Sequence, residues 1–192
     1  EEIITVKDMC LGKTLKVIVE TCLLTASTAP SGANKQPWHF CVVTDPEMKQ
    51  RIREGSEAVE REFYAEHITD EWRADLAKLT LAVEKPFLTE APCLIVIFKE
   101  WWSQKEDGTR DKNYYVTESA CLATGLLINA LRNAGYASLT YTPAPPTFLR
   151  ELLGRPEGET PIMVLCVGKP DLSYELPKLT RKELGEFTSF FE

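Results

Sequence analysis

Residues 114–134 read YYVTESACLATGLLINALRNA and stop at Gly135. The stretch predicts a helix with apolar residues nearly all round. The glycine after it is the usual C-terminal signal, because glycine enters the left-handed region without a Cβ penalty. A helix with no polar face must be covered on every side. In a chain of 192 residues that places it at the centre of the fold or in a subunit interface. Outward from it, His39 to Thr44, Pro92 to Lys99, Ala137 to Thr142 and Ile162 to Val167 have strand character. Helical stretches separate them. Leu15 to Thr25 carries apolar residues at helical spacing, and Asp45-Pro46 opens a helix with proline in its first turn that runs to about Glu62. Thr69-Asp70 caps another, which keeps Trp72, Leu76, Leu79 and Val83 on one stripe and ends before Lys85-Pro86. Strands separated by helices predict an α/β (α+β) fold, a mixed central sheet of about four to five strands wrapped by helices. No repeat, low-complexity tract or linker divides residues 1–192, so a single domain is expected.

Composition removes several classes of function. With 22 Lys+Arg against 29 Asp+Glu the formal charge is −7. Nucleic-acid affinity needs clustered cations, so no nucleic-acid partner is expected. No apolar run reaches the ~20 residues of a membrane span, and the acidic Glu1-Glu2 start lacks the pattern of a secretory leader. Cys10, Cys22, Cys41, Cys93, Cys121 and Cys166 include no CxxC pair, and His39 and His67 have no ligand at metal spacing. Neither a disulfide framework nor a metal site is expected. A Ser/His/Asp triad is poorly supported, because His39 lies between Trp38 and Phe40, where a structural imidazole fits better than a general base. The acidic, thiol-rich composition fits a reducing cytoplasmic setting.

Two segments can carry chemistry. TASTAPSGANKQPW, Thr25 to Trp38, puts small residues, Pro30 and Gly32 between a helix and a strand, a composition suited to close backbone approach to a flat ligand. As a segment alone it reads better as an ordinary helix-to-strand connector. Glu60 and Tyr64, four apart, share a helix face, and Lys85 ends the next helix, so antiparallel packing would bring the three together. A carboxylate, an ammonium and a phenol match an amino acid zwitterion. On spacing alone an exposed surface pair worth about 0–1 kcal/mol is the better reading. Neither GxGxxG after a strand nor GxxxxGK[ST] occurs, which excludes a dinucleotide fingerprint and a P-loop.

TAPSGANKQPWHF (28–40), ALRNAG (130–135), TYTP (140–143) and LLGRP (152–156) resemble the iodotyrosine deiodinases, a branch of the FMN-dependent nitroreductase superfamily, with likeness from about Thr5 to Leu184. The resemblance implies a nitroreductase-like fold, an intertwined homodimer with both subunits at each site, non-covalent FMN, and reductive dehalogenation of mono- and diiodotyrosine with electrons from NAD(P)H. It implies that Ser31 and Gly32 bind the flavin and that the Ala33 backbone meets the substrate phenolate. It further implies that Thr140, Tyr141 and Thr142 line the cofactor, Thr142 with its hydroxyl towards flavin N5, and that Arg181 pairs with the FMN phosphate. Glu60, Tyr64 and Lys85 match the residues that clasp the substrate zwitterion, and their joint presence separates this branch from general nitroreductases and quinone reductases. One stretch departs. Where the family carries RR[ST]xR for the phosphate, this chain has Ile3-Ile4-Thr5-Val6-Lys7, which leaves Thr5 and Lys7 as the polar residues there. Two bidentate guanidinium forks are replaced by isoleucines, a pattern that would also fit a non-catalytic halotyrosine- or partner-binding relative. Animal members carry an N-terminal membrane anchor, so the resemblance also allows a soluble domain trimmed of one.

Overall fold

The computed structural model describes residues 13–66, 68–69, 71, 83–173 and 180–192. In chain order these form α1 (Lys13–Ala26), a 3-10 turn (Gly32–Asn34), β1 (Trp38–Val43), α2 (Pro46–Glu66), α3 (Phe87–Glu90), β2 (Cys93–Glu100) and a hairpin of β3 (Trp102–Gln104) and β4 (Arg110–Lys112). Then come α4 (Val116–Asn133), β5 (Ala137–Tyr141), α5 (Phe148–Leu152), β6 (Glu159–Gly168) and α6 (Leu184–Phe187). The expected helix through Trp72, Leu76 and Leu79 lies outside the described residues, as do Thr5 and Lys7.

The four long strands form one sheet in the order β1-β2-β6-β5. All three pairings are antiparallel, where the sequence predicts a mixed sheet. Apolar runs identify strands but carry no information on direction. Cys93 to Phe98 are each 0% exposed, as expected of a central strand covered on both faces. Their alternation builds two cores. Cys93, Ile95 and Ile97 join Leu15, Val19 and Cys22 of α1 and Leu127 and Leu131 of α4. Leu94, Val96 and Phe98 join Ile52 of α2, Leu88 of α3 and Leu149 of α5 on the other face. Opposite the break between Ile97 and Phe98, the register shifts at Pro161, which has no N–H for the ladder.

Helix α2 starts where Asp45-Pro46 predicts, with Asp45 Oδ2 accepting the Met48 N–H at 2.7 Å as an N-cap. Buried Lys49 donates from Nζ to the Thr89 and Ala91 carbonyls at 3.1 and 2.8 Å, closing the end of α3, and burial pushes its pKa down. Helix α4 corrects one expectation. Val116, Ala120, Ala123, Leu127 and Leu131 are buried, but Cys121 and Leu122 face solvent, so within one chain the helix covers a single face. It does not run through the centre of the fold. No described helix is long and apolar enough to cross a membrane.

Candidate active site

Ser56, Glu60 and Tyr64 are spaced by four along α2 and therefore share its inner face. Lys85, just before α3, is drawn onto that face by its backbone: its N–H donates to Glu57 Oε1 at 2.8 Å, and Arg53 donates to the same oxygen at 2.6 Å. Those two donors, the Lys85 N–H foremost, hold the Glu57 carboxyl below the usual carboxylate range. The Lys85 side chain then turns inward, placing Nζ 2.6 Å from Glu60 Oε2 with side-chain exposures of 3% and 8%. This is a buried ion pair and not the exposed one that spacing alone allows. Nζ also lies 5.9 Å from the Tyr64 ring centroid and 5.8 Å from that of Tyr141, within cation–π range of both. Tyr141 packs edge-on against Phe87 at 5.4 Å. Its hydroxyl sits by Glu60 and Ser56 without a well-formed hydrogen bond to either, and Ser56 Oγ is likewise buried and unpartnered. Burial first, and then the Glu60 carboxylate, push the Tyr141 phenol far above its ordinary pKa, so it stays protonated.

The loop between α1 and β1 is strained. Ala33, Asn34 and Gln36 have φ of 50, 53 and 50°, three non-glycine residues in the left-handed region within four positions. Such conformations cost about 1–3 kcal/mol each and gather at ligand-holding sites. What over-determines them is visible. Asn34 and Lys35 N–H donate to the Ser31 and Gly32 carbonyls at 3.0 Å, and Gln36 N–H donates to Ser31 Oγ at 2.9 Å. Lys35 Nζ reaches Asp111 of β4 at 2.6 Å, tying the loop to the hairpin and lowering the Asp111 pKa. The N–H groups of Gly32 and Ala33, at the head of the turn, lie outside those loop bonds. A Cβ at Gly32 would stand 2.9 Å from Tyr115 Cδ2 and 3.0 Å from the Tyr114 carbonyl oxygen, so the loop lies directly on the chain entering α4.

Alternation along edge strand β5 separates the three residues expected at the cofactor. Tyr141 points to the Glu60–Lys85 side, whereas Thr140 lines a cleft of about 270 Å³ on the opposite face with Ser138, Arg132 and Arg181. Ile128, Tyr136 and Leu139 complete its wall. Thr142, exposed at the end of β5, donates only a 3.5 Å contact to the Ile162 carbonyl and keeps its O–H available.

Ser56, buried beside Glu60, and Arg132, lining the cleft, are residues that motif reading passes over. Ser56 was signalled by its place one turn before Glu60. Arg132 reads as an ordinary cation in the last turn of a helix. The β3–β4 hairpin that anchors Lys35 was announced only by Asp107-Gly108, because strands of three residues leave no alternation to detect.

Comparison with known proteins adds a relationship to this geometry. The sequence profile of the Nitroreductase family matches residues 16–169. An iodotyrosine deiodinase of Haliscomenobacter hydrossis is 46% identical over 166 residues, 86% of this chain and 75% of that one. One of Nematostella vectensis is 42% identical over 88% of this chain, which spans 64% of that relative's length. A crystal structure of oxidized iodotyrosine deiodinase bound to FMN and 3-iodo-L-tyrosine superposes with a TM-score of 0.78 at 30% identity, covering 97% of this chain and 95% of that one. With its antiparallel sheet between two helical layers, the strained loop before β1 and the buried Glu60–Lys85 pair, the chain belongs to the nitroreductase family, on the branch of the iodotyrosine deiodinases.

Proposed function

We propose that this protein removes iodide reductively from mono- and diiodotyrosine, using FMN and electrons that come ultimately from NAD(P)H. The observation that carries the reading is the buried Glu60–Lys85 pair with Tyr64 and Tyr141 around it. A carboxylate and an ammonium held together out of water, beside two phenols, are complementary to the ammonium and carboxylate of one amino acid. In that exchange Glu60 accepts from the substrate ammonium, and Lys85 and Tyr64 donate to its carboxylate, which orients the phenol ring for the chemistry.

The balance is simple: an aryl carbon–iodine bond, two electrons and one proton give an aryl carbon–hydrogen bond and iodide. No side chain supplies electrons, so the flavin carries that chemistry when bound. The described residues fit it. Ser31 and the Gly32 and Ala33 N–H groups offer donors on a loop with no room for a larger residue at Gly32, Thr142 offers an O–H held only by a 3.5 Å contact, and the cleft with Thr140 and Arg181 suits a phosphate. Ala33 N–H is placed in this reading to stabilise the substrate phenolate as an oxyanion donor does.

The same reading makes the protein a homodimer. Val17 and Leu24 of α1, Leu122 of α4, and Tyr114 and Tyr115 ahead of it are apolar and exposed, as are Phe190 and Phe191 near the chain end. A second copy covering α4 satisfies a helix whose sequence has no polar face. The acidic, thiol-rich composition fits a reducing, cytoplasmic setting.

The test is iodide release from diiodotyrosine by the FMN-loaded, chemically reduced protein under anaerobic conditions. Turnover is expected, with Lys85→Ala and Glu60→Gln each raising the half-saturating substrate concentration at least about tenfold while the bound-flavin spectrum holds. Half-saturation unchanged in both variants, or iodophenol turned over as readily as the amino acid, overturns the reading.

A further inference from the structure

Arg132 in the last turn of α4 and Arg181 in the C-terminal segment lie far apart in the chain, yet they line one cleft with Ser138 and Thr140 of edge strand β5. Among the described residues no acidic side chain lines it, in a chain where acids outnumber bases 29 to 22. Arg53, Arg110 and Arg155 are each paired with a glutamate, whereas among the described residues neither Arg132 nor Arg181 has an ion-pair partner. Two guanidinium groups, two residues with hydroxyls and an apolar wall containing Ile128 and Tyr136 suit a phosphomonoester on an amphipathic molecule better than a bare inorganic ion. Arg132 also has an ordinary role, since a cation near a helix C-terminus complements the dipole. That role does not account for Arg181 in the same concavity.

The N-terminal sequence gives the arrangement a reason. Ile3 and Ile4 stand where the family pattern has arginines, so a phosphate bound by this chain has lost two guanidinium forks. We propose that Arg132, across the cleft from Arg181, supplies the replacement guanidinium that holds the FMN phosphate. The proposal rests on the reading of this chain as an FMN protein and adds to it a phosphate-binding role for Arg132.

The experiment compares FMN with riboflavin, which has the same ring and ribityl chain but no phosphate. Flavin-free protein is titrated with each by fluorescence quenching, for the unaltered chain, Arg132→Gln, Arg132→Lys and Arg181→Gln, with circular dichroism to verify folding. The unaltered chain is expected to prefer FMN. Arg132→Gln and Arg181→Gln should each weaken FMN at least about tenfold and leave riboflavin within about twofold, and Arg132→Lys should recover part of the loss. The salt dependence of FMN binding should flatten in both glutamine variants. If Arg181→Gln lowers the FMN-to-riboflavin ratio but Arg132→Gln does not, the assignment of Arg132 is overturned and the cofactor reading stands. If neither changes a clear FMN preference, the phosphate lies elsewhere and the cleft assignment fails. If the unaltered chain binds neither flavin, the functional reading falls together with the proposal.

Discussion

Replacing Lys85 with methionine tests whether the Glu60–Lys85 pair is as buried and as coupled as the geometry requires. Methionine keeps most of the lysine stem but removes the ammonium 2.6 Å from Glu60 Oε2, and the carboxylate left behind is 8% exposed. Breaking a buried pair from one side costs about 3–5 kcal/mol, against 0–1 kcal/mol for an exposed pair. In a protein of this size each kcal/mol moves the thermal midpoint by about 2–4 °C, so Lys85→Met should lower it by roughly 6–20 °C. Removing both charges in Lys85→Met/Glu60→Leu abolishes the orphaned carboxylate and should restore most of that loss, because an apolar pair of similar volume is often as stable as the ions it replaces. The assay is urea unfolding of the four cycle members at one fixed protein concentration, which keeps any assembly term common to all. The coupling should exceed about 2 kcal/mol, while neither the single nor the double variant keeps its affinity for diiodotyrosine. A single-variant loss below about 1 kcal/mol, or a double variant no more stable than Lys85→Met, would refute the burial argument.

Two further outcomes follow from the framework around the pair. The Glu57 carboxyl is lowered by the Lys85 N–H and Arg53, so its contribution to stability is complete above the ordinary carboxylate pKa of about 4.3 and is lost as pH falls through its lower folded value. Glu57→Gln should therefore be less stable than the unaltered chain at pH 7, with the gap closing between about pH 5 and 3; parallel unfolding midpoints across that range would count against the staple. Gly32→Ala brings a methyl group within 2.9 Å of Tyr115 and 3.0 Å of the Tyr114 carbonyl, which must push the loop off the start of α4. FMN binding should weaken by about 1–3 kcal/mol in a fluorescence titration, and equal affinity would show that the loop does not hold the cofactor.

The strands were readable because each is an apolar run long enough to resist other interpretations, and Cys93 to Phe98 could sit nowhere but the middle of a sheet. Strand direction was not readable, since antiparallel and parallel partners bury the same residues. The α2 face was legible from Glu60 and Tyr64 at helical spacing. The burial that turns Lys85 from a surface cation into a buried partner was not, because it depends on Glu57 gripping the Lys85 backbone across 28 positions of sequence. Tyr141 shows the same limit on a smaller scale. The resemblance implies a cofactor role for Thr140, Tyr141 and Thr142 together, while strand alternation sends the tyrosine side chain to the other face, beside Glu60. The place of Arg132 in the cleft was not readable for the opposite reason: a good local explanation, the helix dipole, gives no hint that Arg181 shares the same concavity.

Lys85 and Glu60 neutralise each other across 2.6 Å in the protein interior. In the proposed reaction an incoming amino acid therefore exchanges partners with a closed pair and does not fall onto two vacant charges. Most of its Coulombic attraction is cancelled by what it displaces, and the preference left over comes from the ring. A molecule bearing only one of the two charges meets the reverse situation. An amine lacking its carboxylate could take Glu60 only by drawing it away from Lys85 in the protein interior, at a cost of several kcal/mol. In the proposed reaction, selection at such a gate is exclusion more than attraction: it works against halophenols that lack either the ammonium or the carboxylate.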